Sequence, residues 1–147
     1  MIDPLAFYAN PETMDTNVYQ VPDADVSPDV LLKRAQLEMR GFRDLLVQHG
    51  VTVTSVLGHE DCPDMVFPNW ASVYDDGRMI LYPMLNENRS AERRGRIIDW
   101  LRRYYPNVED WSGYEVDGLA LESTASIVSD HVNGRGYAGL SKRTSPD

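Results

Sequence analysis

The chain has 147 residues, with 42% hydrophobic and 25% charged side chains, which suits one soluble globular domain rather than a disordered tail. A formal net charge of −9 excludes the usual electrostatics of nucleic-acid binding, and it disfavours adhesion to anionic lipid. One cysteine, Cys62, rules out an internal disulfide and makes a reducing, cytoplasmic setting the expectation.

The N-terminus, Met1-Ile-Asp-Pro-Leu-Ala-Phe7, has neither a basic leader nor a long apolar run, so neither a signal peptide nor a membrane span is expected. Residues 1–26 are rich in turn formers, with a short strand expected near Leu5–Ala9. Ser27 and Pro28 then open a helix. Leu31, Leu32, Ala35, Met39, Phe42, Leu45 and Leu46 fall on one stripe, and Gly50 follows the end, which predicts a helix over 28–48. The β-branched run 51–57 predicts a strand, and 65–67 a second short one. Asp75-Asp76-Gly77 reads as a tight turn, followed by a strand over Met79–Tyr82 that is apolar enough to be buried on both faces.

A second helix is expected from a Ser90 cap to Pro106, turning Ile97, Ile98 and Leu101 inward with Trp100 and Tyr104 beside them. Leu119–Leu121 and Ile127–Val128 read as a hairpin, with Tyr137–Leu140 as a further strand after the Gly134-Arg-Gly136 turn. The fold class is therefore α/β. No linker divides the chain, so 1–147 reads as a single domain, and the recurrence of strand, helix, strand suggests a repeated αβ unit.

Three sets of residues could carry chemistry. Asp64, just before an apolar segment, is either a turn aspartate or a carboxylate for a planar cation such as a guanidinium, whose paired donors match it side-on. Glu122, after Leu119-Ala-Leu121, is either solvated at a strand end or a buried, paired acid. Arg89, Arg93, Arg94 and Arg96 crowd the expected start of a helix, where basic side chains oppose the dipole. They either form a solvated face paired to Glu87, Glu92 or Asp99, or offer Arg93 or Arg94 to a substrate carboxylate. His49, His59, His131 and Cys62 lack metal-ligand spacing, and phosphate-loop and dinucleotide motifs are missing, so no metal and no cofactor are expected.

The ordered set Asn10-Pro-Glu-Thr13, Asn17-Val-Tyr-Gln20, Pro63-Asp-Met-Val-Phe-Pro-Asn69, Leu81-Tyr-Pro-Met84, Asn88-Arg89, Glu92-Arg-Arg94, Leu121-Glu122 and Leu140-Ser141 resembles the citrulline utilization hydrolase group of the amidinotransferase and arginine deiminase superfamily. The resemblance implies a partial pentein fold, an α/β propeller of ββαβ modules, here about two to three of its five modules. It implies chemistry in which a cysteine thiolate attacks the central carbon of a guanidino or ureido group, a histidine moves protons, and carboxylates hold the nitrogens. By motif, Asp64 and Asn69 are expected to bind substrate, Arg93 to meet its α-carboxylate, and Glu122 to act as the acid that orients it.

The resemblance also has departures. Relatives read FPNNW where this chain has Phe67-Pro-Asn-Trp70, and the glycines of LEGTGS are Ser123 and Ala125. A family histidine is Tyr74, and a family arginine is Asp3. The catalytic histidine and cysteine of relatives lie in a second half, and neither Cys62 nor His131 matches them. The expectation is therefore a truncated relative without activity of its own. The alternatives are half of a two-chain enzyme or a non-catalytic guanidino or amino-acid binding module. The expected ligand is a small guanidino or ureido amino acid, and open strand edges lead to an expectation of self-association or of a complementing second-half chain.

Overall fold

The longest element obeys local rules at both ends. Helix α1 spans Pro28–Gln48, with Ser27 extended at its N-cap and proline in the first turn. At the other end Gly50, at φ 81°, donates to the Val47 carbonyl, and Val51 donates to that of Leu46. This pair of bonds satisfies two carbonyls that the helix leaves over. The computed structural model describes residues 1–22, 25–93 and 96–146. They gather into two compact units, Met1–Pro68 and Asn69–Asp147.

In the first unit, α1 connects two short parallel strands, β1 (Ile2–Asp3) and β2 (Val56–Leu57). Gln36 donates to the Pro4 carbonyl and Arg40 pairs with Asp3 at 3.0 Å, which fastens the helix to the N-terminal strand. The apolar stripe has the expected orientation but is shallow. Leu31, Ala35 and Met39 are half-buried, while Phe42 and Leu45 remain 56% and 50% exposed. The strands expected at 5–9 and 65–67 do not form. Over 65–67 the backbone turns instead, with Met65 donating to Cys62 and Phe67 to the Asp64 carbonyl. The strand expected over 51–57 keeps only its last two residues.

In the second unit, β3 (Ala71–Val73) and β4 (Arg78–Leu81) form an antiparallel hairpin. Its turn places Gly77 at φ 82°, where a side chain would be strained. β5 (Asn107–Asp110) pairs parallel to the other side of β4. β4 is thus the central strand, and its Met79, Ile80 and Leu81 are buried, as continuous apolarity predicts. Between β4 and β5 run α2 (Glu87–Ser90), a 3-10 turn over Ala91–Arg93, and α3 (Arg96–Leu101). Asn86, not Ser90, is the N-cap residue here. These elements form a ββαβ unit around a core of Trp70, Met79, Leu81, Met84 and Ile98.

Beyond it lie a 3-10 turn over Ser112–Asp117, the short α4 (Ser123–Ser126), and the hairpin of β6 (Ile127–Asp130) and β7 (Arg135–Ala138). The hairpin expected between 119–121 and 127–128 is therefore replaced. Leu121 makes only a single bridge, to Thr144, and Ile127 pairs with Ala138 across the Gly134 turn. The chain is mixed α/β. Among the described residues, no helix is long and apolar enough to cross a membrane.

Candidate functional site

Asp64 follows Pro63 on a turn and is only 7% exposed, so its charge needs donors. Asn10 Nδ2 donates to Oδ2 at 2.8 Å, Thr13 Oγ1 lies 3.0 Å from the same oxygen, and Gln20 Nε2 donates to Oδ1 at 2.6 Å. The Gln20 side-chain carbonyl accepts in turn from the Asn10 backbone at 2.9 Å. The N-terminal motifs Asn10–Thr13 and Asn17–Gln20 are thus folded around one carboxylate. Asn10 and Thr13 are themselves buried.

In the second unit, the segment that leaves β4, Tyr82-Pro-Met-Leu85, is gripped from three sides. Arg93 Nη1 donates to the Tyr82 carbonyl at 2.8 Å. Met84 N donates to Glu115 Oε1 at 2.6 Å, and Leu85 N to Glu122 Oε1 at 3.2 Å. Arg93 Nη2 closes the ring by donating to Glu115 Oε2 at 2.7 Å. Arg93 therefore pairs with Glu115, not with Glu87, Glu92 or Asp99.

Glu122 is 0% exposed. Its Oε2 lies 3.5 Å from Arg143 Nη1 and accepts no hydrogen bond among the described residues. The backbone around it is strapped to residues 141–145. Glu122 N donates to Ser126 Oγ at 3.0 Å, which donates to the Arg143 carbonyl at 2.8 Å, and Ser145 N donates to the Ala120 carbonyl. The next residue, Ser123, sits at φ 35°, in the left-handed region that a β-carbon disfavours. Its hydroxyl lies 2.7 Å from that of Ser72. Asn69 joins the same neighbourhood by accepting from Thr124 Oγ1 at 2.9 Å.

The chain matches the family described as N,N dimethylarginine dimethylhydrolase, eukaryotic, over residues 3–147. It belongs to that family. This agrees with the amidinotransferase and arginine deiminase superfamily that the motifs resemble. Among solved structures, the family's fold is supported by likeness to unliganded AgrE, at a TM-score of 0.62 and 22% identity over 95% of this chain. The chain spans only 19% of that protein. No curated protein matches it.

Ser123 stands where the resembled motif has a glycine, and its positive φ is a conformation that glycine adopts without strain. Of the four residues singled out by motif, Asn69, Arg93 and Glu122 all lie in the second unit and meet the segment 82–85 or α4. Asp64 lies in the first unit, in its own cage of donors. Arg94 is outside the described residues. Arg89, grouped by sequence with the other arginines, forms a buried pair with Glu92 at 2.6 Å, while Arg96 is exposed.

Sequence reasoning missed Glu115 and Arg143. Glu115 sits in an unremarkable acidic turn. Arg143 follows the Leu140-Ser141 motif, which gave a clue to position but none to its partner. Burial pushes the Tyr82 phenol up to about 12, against the pull of its hydrogen bond with Ser72. Cys62 is buried at 2% exposure, and no metal-binding group of histidine, cysteine and acidic residues occurs among the described residues.

Proposed function

We propose that this chain supplies substrate-holding carboxylates for hydrolysis of a guanidino or ureido C–N bond, with the attacking thiolate contributed from outside residues 1–147. The observation that carries the reading is Glu122, a sealed carboxylate whose Oε2 is ion-paired to Arg143 at 3.5 Å but accepts no hydrogen bond among the described residues. Leaving such an oxygen unsatisfied costs on the order of 1–3 kcal/mol. A ligand bearing planar N–H donors relieves that cost, and a guanidinium is the side-chain-like group that does so with two parallel bonds. Membership in the dimethylarginine dimethylhydrolase family supports the same ligand class.

Asp64, in the first unit, is a further candidate acceptor for a planar cation, independent of Glu122. Its fixed orientation, set by Asn10, Thr13 and Gln20, supports a role in presenting a rigid acceptor. In the second unit, Asn69 and Arg93 join Glu122 as proposed ligand contacts, with Arg93 taking a substrate carboxylate in competition with Glu115. The ββαβ unit of β3, β4, α2, α3 and β5 supports reading the chain as part of a pentein propeller, with the remaining modules elsewhere.

Cys62 is unsuited to nucleophilic attack because a reactive thiolate needs access to its target, and this one has almost none. This favours a non-catalytic, ligand-binding behaviour for residues 1–147 by themselves. The deciding experiment is calorimetry with dimethylarginine, arginine and citrulline, alongside an ammonia and amine release assay. Binding without turnover, weakened about tenfold or more by Glu122→Gln, is expected. Turnover that disappears in Cys62→Ala would overturn the assignment.

A further inference from the structure

A hollow of about 400 Å³ lies wholly within the second unit, between the β3–β4 hairpin and the β6–β7 hairpin. Its lining is unlike that of the proposed guanidino site. Its buried end carries hydroxyls: Tyr82 and Ser123 are 3% and 2% exposed, and Ser72 joins them through the 2.7 Å contact with Ser123. Its exposed end carries the guanidinium groups of Arg78 and Arg135.

The charges in this wall are unequally committed. Asp130 is consumed by its own turn, where its carboxylate accepts from Val132 N at 3.1 Å, Asn133 N at 3.0 Å and Asn133 Nδ2 at 2.7 Å. Arg78 is held by Asp76 at 2.7 Å and lies over the Tyr74 ring. Arg135 has no side-chain hydrogen bond or ion pair among the described residues. Arg135 is therefore the guanidinium of this wall without a hydrogen-bonded acid, although Asp130, its cross-strand neighbour, keeps its negative charge in the same lining.

We propose that this hollow binds a small tetrahedral oxyanion of the phosphate class, with Arg135 as the principal charge partner and the hydroxyls of Ser72, Ser123 and Tyr82 as further donors. Donors that approach from several planes match a tetrahedral anion better than a flat carboxylate. The ligand is opposite in charge to a guanidinium, so the proposal stands apart from the function assigned to Glu122.

The test is titration of the full chain with inorganic phosphate, followed by calorimetry and phosphorus NMR line width, with acetate as the planar comparator. Phosphate is expected to bind more tightly than acetate. Arg135→Gln, at an exposed position, should weaken phosphate binding about tenfold, whereas Arg96→Gln, also exposed but outside the hollow, should leave it unchanged. The proposal is overturned if phosphate does not bind, if acetate binds equally well, or if Arg96→Gln weakens binding as much as Arg135→Gln.

Discussion

Glu122 and Arg143 approach to 3.5 Å inside a strap that ties residues 120–126 to residues 141–145. The carboxylate is fully sealed and the guanidinium nearly so, at 0% and 16% exposure of their side chains. Removing one partner of a buried pair strands the other charge at a cost of about 3–5 kcal/mol. Arg143→Ala is therefore expected to lower the urea midpoint sharply, and Glu122→Gln combined with Arg143→Met to recover most of the loss. An unchanged midpoint in Arg143→Ala would show that the pair does not hold the strap.

The cage around Asp64 makes a local prediction. Three side-chain donors from residues 10, 13 and 20 converge on this carboxylate. Hydrogen bonds to a charged group contribute roughly 1.5–3 kcal/mol each, and they do not add simply. Asp64→Ala should release the segment 10–20, which hydrogen exchange would register as faster exchange at the Thr13 and Met14 amides. Asp64→Asn should have a smaller effect. Protection equal to wild type in Asp64→Ala would refute the cage as the anchor.

Ser123 offers a test with an inverted sign. In ordinary helical positions alanine is more stable than glycine by about 1 kcal/mol. At φ 35° the β-carbon is the liability, so Ser123→Gly should be more stable than Ser123→Ala by about 1 kcal/mol. Both lose the hydroxyl contact with Ser72, so the comparison isolates the backbone. Chemical denaturation of the two variants side by side decides it.

Tyr82 sets an alkaline limit. Its phenol is raised from the ordinary 10.0 to about 12, first by burial. A group whose folded pKa is raised favours the fold fully below its unfolded value, and that contribution is lost as pH climbs through the folded value. Stability should therefore decline between pH 10 and about 12 more steeply in wild type than in Tyr82→Phe. Ultraviolet titration should show one tyrosinate step near 12 that the variant lacks.

The half-exposed apolar side chains bear on assembly. Phe42 and Leu45 on α1, with Val128 and Tyr137 on the β6–β7 hairpin, leave apolar surface open to water. Light scattering coupled to size exclusion is expected to show self-association that diminishes in Phe42→Gln or Tyr137→Gln. A dilute, stable monomer would count against it.

Helix α1 was legible to the residue because its cap, stripe and terminating glycine are all local in sequence. β4 was legible because burial on both faces writes itself as an unbroken apolar run. β5 was not, since Asn107-Val-Glu-Asp110 has little strand character and becomes a strand only by pairing with β4. Met65–Phe67 misled for the opposite reason: strand-forming side chains were overruled by turns around Cys62 and Asp64.

The candidate site divides along the same line. Residue order alone determined the superfamily, the α/β class, and the choice of Asp64, Asn69, Arg93 and Glu122 as candidates, because motifs are one-dimensional and survive being read without coordinates. Tertiary structure alone decided that Arg93 meets Glu115, that Arg143 meets Glu122, and that Asp64 is clasped by Asn10, Thr13 and Gln20. Ion pairs and buried hydrogen bonds depend on distance in space, and partners some twenty to fifty positions apart leave no periodic trace along the chain.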